Sequence, residues 1–177
     1  QVVLNQLFKQ TQLQDTFSVN SVALVEGVPK VLSVPELIKY YIEHQIDVIQ
    51  RRTKHRLQKA ENRLHIVEGL LLALKKIDQI IKVIKASKDV DTARKSLMTK
   101  FKLSEIQASH ILDMPLRRLT ALEMEKLEEE KKDLKETIKE LTSILKSRAK
   151  QDKILIEELE AITNKFGDER RSRIVPD

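Results

Sequence analysis

Leu57, Ala60, Leu64, Val67, Leu71 and Leu74 fall at alternating three- and four-residue steps, and so do Met124, Leu127, Lys131, Leu134, Ile138, Leu141 and Leu145. That alternation lays a narrow apolar seam along one side of a helix, the pattern of helix-on-helix packing rather than of a broad globular face. Lys131 is the single polar member of the second run. The intervening residues 77–119 give the chain room to turn round. The expected fold is mainly α: a long antiparallel coiled coil with a small helical head at its tip and a short β-hairpin near the N-terminus. At ~1.5 Å per residue the head would stand roughly 25–40 Å out along the arms.

Local signals divide the chain into five stretches. In residues 1–34 a helix end (1–14) is broken by Asp15 to Asn20, and a hairpin follows: Val22 to Val25, a turn at Glu26-Gly27, and a return over Lys30 to Leu32. Ser33, Pro35 and Glu36 then form a helix start, with Glu36 placed to reach back to the cap. Residues 35–76 are the outgoing arm, in which Gly69 is a mild interior weakness. Residues 77–119 break into three short helices, the last opened by a Ser104/Gln107 capping box and ended by Pro115. Residues 120–146 are the returning arm, capped by Thr120 with Glu123, with Glu128–Lys132, Glu128–Lys131 and Glu136–Lys139 at pairing distance along its surface. Residues 147–177 hold a terminal helix, from about Gln151 to Phe166 before Gly167, and a charged tail.

Composition agrees with long solvated helices: charged residues make up 34%, aromatics 3%, and there are three glycines and four prolines. Without cysteine the chain has no disulfide framework or thiol nucleophile, which fits a cytoplasmic setting. No apolar run approaches the ~20 residues that span a bilayer, and no signal peptide is visible, so no membrane is expected as a partner. The chain opens at Gln1, already within an apolar-periodic stretch, and reads as a piece of something larger. The net charge of +6 divides into +3 over residues 1–60, +4 over 61–100 and −1 over 101–177. Its densest part is Arg51, Arg52, Arg56, Lys59 and Arg63, a stripe at helical spacing. Such a stripe either faces DNA phosphates, weakly and without sequence preference, or is a coiled-coil flank paired with Glu128, Glu129 and Glu130 on the return arm.

Little else carries chemistry. His44, His55, His65 and His110 are scattered, so no metal site is expected, and His65 reads as an interhelical hydrogen-bonder. Three glycines build no phosphate loop. Tyr40-Tyr41 reads as packing rather than as a nucleophile, because no carboxylate cluster accompanies it. No catalytic residue and no cofactor are expected. The head holds more large apolar side chains than it can bury alone: Leu97, Met98, Phe101, Leu103, Ile106, Ile111, Leu112, Met114 and Leu116. A homodimer through the head is the natural way to cover them.

Three segments carry a resemblance. They are Arg51-Arg52-Thr53 through His65-Ile66-Val67-Glu68; Phe101-Lys102-Leu103-Ser104-Glu105 through Leu122-Glu123; and Lys165-Phe166-Gly167-Asp168-Glu169-Arg170-Arg171. With the opening Val3-Leu4-Asn5-Gln6-Leu7-Phe8, they resemble in order the A subunit of bacterial DNA gyrase, a type IIA topoisomerase. The resemblance implies the end of the tower, the coiled-coil arms and the exit-gate head of an ATP-dependent enzyme that passes one duplex through another. It places the DNA-cleaving tyrosine upstream, Mg²⁺ and ATP binding in other regions or on the gyrase B subunit, and the supercoil-wrapping domain downstream. Arg56, Pro115, Ala121 and Arg173 depart from residues usual in that family. Arg56 adds to the basic face, and Pro115 bears on the angle between head and return arm. The A subunit of topoisomerase IV shares the architecture, and an unrelated cytosolic coiled-coil scaffold whose head docks a protein partner is the competing class.

Overall fold

The computed structural model describes residues 1–115 and 121–175. Gln1–Gln45 and Ile46–Asp177 form two compact units. The first holds α1 (Val2–Gln10), the hairpin β1 (Val22–Val25) and β2 (Val28–Val31), and the opening turns of α2 (Val34–Lys75). Val25 pairs with Val28 and Val22 with Val31, so only Glu26 and Gly27 form the turn, both at positive φ (53° and 80°). That geometry matches the twist of the flanking strands. A Cβ at Gly27 would meet nothing within 4 Å, so the backbone angle alone calls for glycine there. Because the turn is this tight, the return strand begins at Val28 rather than Lys30.

Glu36 reaches back to Ser33 as expected, accepting from its N–H (2.8 Å) and from its hydroxyl (2.7 Å). No hydrogen bond from an α2 N–H to the Ser33 hydroxyl forms among the described residues, so only the Glu36 half of the capping box is present. These bonds, the hydroxyl first, hold the Glu36 carboxyl below its ordinary value. Helix α1 ends at Gln10, where the Thr11 hydroxyl turns back onto the Leu7 carbonyl. Its apolar residues Val2, Val3, Leu4, Leu7 and Phe8 are all exposed.

The second unit holds the rest of α2, then α3 (Ile77–Ala86), α4 (Val90–Phe101), α5 (Glu105–Leu112), α6 (Ala121–Lys146) and α7 (Arg148–Phe166). Polar contacts show that α2 and the return helices run in opposite senses: Gln50 meets Gln151, Glu68 meets Lys131, and Lys75 meets Glu128. The head has its own small core, built from Leu70 and Ala73 of α2, Ile80 of α3, Leu97 of α4, Leu103, and Ala108 and Ile111 of α5; Leu127 of α6 packs on its edge. Burying a side chain of this size contributes about 2 kcal/mol. On the arms, Ala60, Val67 and Leu71 of the α2 seam are buried, whereas every seam residue of α6 is only half-buried. Two helices cover each seam from one side only.

The polar seam member Lys131 is accounted for by Glu68, 2.9 Å away. The expected pairs within α6 do not form among the described residues. Glu128 instead meets Lys75 (3.3 Å), and Glu130 meets Arg63. The opposite arm brings its charges within reach, so Glu128 and Glu130 bridge between helices, while Glu123 pairs along α6 with Lys126 (2.9 Å).

Two glutamines sit at the joints of this unit. The capping box of α5 forms in full: Ser104 accepts from the Gln107 N–H (3.2 Å), and the Gln107 side chain accepts from the Ser104 N–H (3.1 Å). The Gln107 amide also donates to the His65 carbonyl of α2 (2.7 Å), and the His65 ring meets the Ser104 hydroxyl at 2.7 Å. A Cβ on Gly69 would lie 2.6 Å from Cγ of Gln107. Gly69 keeps its propensity cost within α2, and its missing side chain is the notch that receives Gln107. At the other joint, α6 stops at Lys146, Ser147 takes an extended conformation (φ −127°, ψ 110°), and α7 starts at Arg148, ahead of the expected Gln151. The buried Gln151 amide donates to the Ile144 carbonyl (2.9 Å), which also accepts from the Ser147 N–H (3.3 Å), while the Gln151 oxygen accepts from Gln50 (3.0 Å). The Thr120 cap expected for α6 lies outside the described residues. Asp89, whose capping role the sequence does not announce, accepts from the Thr92 N–H at the start of α4 (2.7 Å).

Gly69→Ala will destabilise the protein by up to about 2 kcal/mol, because an overpacking cost of roughly 1–3 kcal/mol at Gln107 outweighs the roughly 1 kcal/mol of helix propensity that alanine adds. Urea unfolding checks this; a stabilised variant would contradict the notch. The Thr92 N–H, then the Thr92 hydroxyl, hold the Asp89 carboxyl below its ordinary 3.8. A lowered carboxylate contributes stability above its unfolded pKa and loses it as pH falls through the folded one. Asp89→Ala will therefore lower Tm at pH 7, and the gap to the parent protein will close as the pH is taken below ~3.8. A gap independent of pH would show that the cap does not depend on charge.

Candidate nucleic-acid and dimer surfaces

Arg51, Arg52, Arg56, Lys59 and Arg63 all lie on α2. Arg51 pairs with Asp47 one turn back (2.8 Å), and Arg52 with Glu158 of α7. Arg63 grips Glu130 of α6 through two nitrogens, the second at 2.8 Å, and this carboxylate raises the Arg63 pKa still further. Arg56 and Lys59 have no carboxylate partner among the described residues; Arg56 is exposed and Lys59 likewise. The structure therefore divides the stripe. Its ends serve as ties to the chain's own carboxylates, each worth ~0.2–1 kcal/mol at such exposure, and its middle remains free.

A second basic surface emerges only in three dimensions. Lys75 closes α2 and Lys76 follows it at the start of α3, while Lys131, Lys132 and Lys135 lie on the facing stretch of α6. Together with Glu68 and Glu128 they line a cleft of about 670 Å³ floored by Leu71 and Leu72. The sequence holds the signal as two lysine clusters far apart, and the antiparallel register brings them together.

The nine head residues expected at a dimer interface divide as well. Leu97, Leu103 and Ile111 are buried in the chain's own core, so they are not available to a partner. Met98, Phe101, Leu112 and Met114 are half-buried against that core. Ile106 is 58% exposed. Leu116 lies outside the described residues. Beside Leu112 and Met114, a cavity of about 410 Å³ opens between α3 and α5, lined by Ile77, Ile81 and Ile84.

His65 makes the interhelical hydrogen bond expected of it. Tyr40 is half-buried, in keeping with packing, while Tyr41 is largely exposed. Among the described residues no group of three or more His, Cys, Asp or Glu converges where a metal ion could be held. No helix among them is long and apolar enough to cross a membrane.

Residues 1–160 match the family of DNA gyrase and topoisomerase IV A subunits. The chain is 52% identical over 175 residues to the DNA gyrase A subunit of Ureaplasma parvum serovar 3, covering 99% of this chain and 21% of that protein. It is 48% identical to the proteins of the same name from Brachyspira hyodysenteriae, over 99% of this chain and 21% of that protein, and Mycoplasma genitalium, over 100% and 21%. The chain thus spans about a fifth of the length of these curated relatives. An unrelated scaffold is set aside, for with a family match over most of its length and about half of its residues identical to these relatives along the aligned stretch, this chain belongs to the family of DNA gyrase and topoisomerase IV A subunits.

Proposed function

We propose that this chain is the arm-and-gate segment of a DNA gyrase A subunit, part of an ATP-dependent type IIA topoisomerase that changes DNA topology by double-strand passage. The observation that supports this reading is the antiparallel run of α2 against α6, ending in a helical cluster with its own core, in a chain of that family. Such a segment spaces and closes a gate; it does no bond chemistry. The cleaving tyrosine, the Mg²⁺ ligands and the ATPase belong to other regions and to the gyrase B subunit, and the segment itself takes no cofactor. Gyrase is favoured over topoisomerase IV because the relatives named above carry the gyrase name. The complex works in the cytoplasm on double-stranded DNA, which this segment meets weakly and without sequence preference.

The head joins two copies. With Leu97, Leu103 and Ile111 committed to each protomer's core, the contact falls to Ile106 and to the rim of Met98, Phe101, Leu112 and Met114. Light scattering at micromolar concentration will give twice the 20.5 kDa chain mass. Ile106→Glu with Met114→Glu will give monomers whose helical circular dichroism is intact; a clean monomer of the parent chain would overturn the gate. Incubated with supercoiled plasmid, Mg²⁺ and ATP, the segment will leave topology unchanged. A covalent protein–DNA adduct that disappears with Tyr41→Phe would show that the chain carries a nucleophile after all.

A further inference from the structure

We infer that the cleft between α2 and α6, rather than the arginine stripe of α2, is where this chain meets the phosphates of duplex DNA; the inference rests on the DNA reading proposed above. The cleft is lined by five lysines and two glutamates. Both glutamates are already taken, Glu128 by Lys75 at 3.3 Å and Glu68 by Lys131 at 2.9 Å. That leaves Lys76, Lys132 and Lys135 without a carboxylate partner among the described residues. Lys76 stands over the Phe101 ring, 6.0 Å from its centroid, a contact that orients the ammonium without neutralising it.

The arginine stripe is the opposite case. Three of its five cations are bound to the chain's own carboxylates, so a phosphate there must first displace Asp47, Glu158 or Glu130. Its two free cations, Arg56 and Lys59, lie along a single helix. The cleft gathers three free ammonium groups from the start of α3 and the facing stretch of α6 around an apolar floor. With Glu68 and Glu128 each offset by a lysine, the cleft keeps an excess of three positive charges, and a concave surface with such an excess raises the local concentration of the opposite charge. Lysine suits a backbone contact made without register, because its ammonium is a point charge with rotatable donors, whereas arginine's fixed fork favours a bidentate partner. The Phe101 ring is covered by Lys76 rather than lining the cleft, and no aromatic side chain lines the cleft among the described residues, so the contact is to backbone phosphate alone.

The same phosphate chemistry could come from a free polyphosphate, and the test separates the two sources. Anisotropy of a labelled ~20-base-pair duplex is titrated with the 177-residue chain from ~50 to ~200 mM salt. Lys76→Glu/Lys132→Glu/Lys135→Glu is compared with Arg56→Glu/Lys59→Glu, and circular dichroism confirms that both variants fold. The lysine variant is expected to weaken binding about tenfold or more at ~50 mM salt. Its log K against log salt slope should flatten by about 2–3, since each neutralised phosphate contributes roughly 0.9. The arginine-stripe variant is expected to change the slope by less than half as much.

Failure of the DNA reading is told apart by the parent chain: if it binds no duplex at ~50 mM salt, that reading falls and the inference with it. If the parent binds and the lysine variant binds equally well, the cleft alone is overturned. Inorganic triphosphate is the second arm. Competition only at millimolar concentration supports a backbone contact, while micromolar saturation of the parent chain, lost in the lysine variant, would make the cleft a small-anion site and overturn the duplex assignment.

Discussion

Gln107 has to satisfy its side-chain amide inside a contact too tight for even a methyl group on Gly69, and the placement of the head follows from that requirement. The amide donates to the His65 carbonyl, its oxygen takes the Ser104 N–H, and its stem fills the space where the Gly69 side chain would stand. Since α5 begins just after Ser104, one residue fixes both the start of that helix and its seat on α2. The apolar core then closes around it: Leu70 follows Gly69, Ala73 lies one turn on, and Ala108 adjoins Gln107. A polar group buried this way is costly when unpaired. The wrong seating of α5 is thus penalised more heavily than apolar packing alone would penalise it.

Charge organises the arms where the seam does not. The seam positions of α6 are covered on one side only, so the stretch of α6 between Glu128 and Lys131 is tied to α2 by Lys75–Glu128, Lys131–Glu68 and Arg63–Glu130. Each tie is weak, and each uses up a charge that would otherwise face solvent. Cations without a carboxylate partner occur along much of the described chain, and at the arms they include Arg56 and Lys59 of the stripe and Lys76, Lys132 and Lys135 of the cleft.

The helices and their order can be read from the sequence because they depend on local signals: the three/four spacing, the Ser104/Gln107 box, and the breaks at Asp15 to Asn20 and Ser87 to Asp89. The hairpin turn is legible for the same reason, as Glu26-Gly27 carries its own backbone preference. What escapes depends on partners distant in sequence. Nothing near Gly69 announces Gln107, and nothing near Lys75 announces Lys132. The intrahelical pairs expected for Glu128 are reasonable from spacing, yet spacing cannot register a competing cation from the opposite arm. Leu97, Leu103 and Ile111 look as available to a partner as Ile106, because hydrophobicity alone does not say which side of a helix its own chain covers.

The interruption at Ser147 gives the return path a mechanical character that an unbroken helix would lack. A continuous α-helix resists bending through every backbone hydrogen bond along its length; here that resistance falls to a minimum at one residue. Across the break the link is supplied by Gln151, whose amide holds the Ile144 carbonyl and whose oxygen is anchored to Gln50. At this joint the angle between α6 and α7 is held by side chains, Gln151 on Ile144 and Gln50, and Arg52 on Glu158, rather than by an unbroken helix.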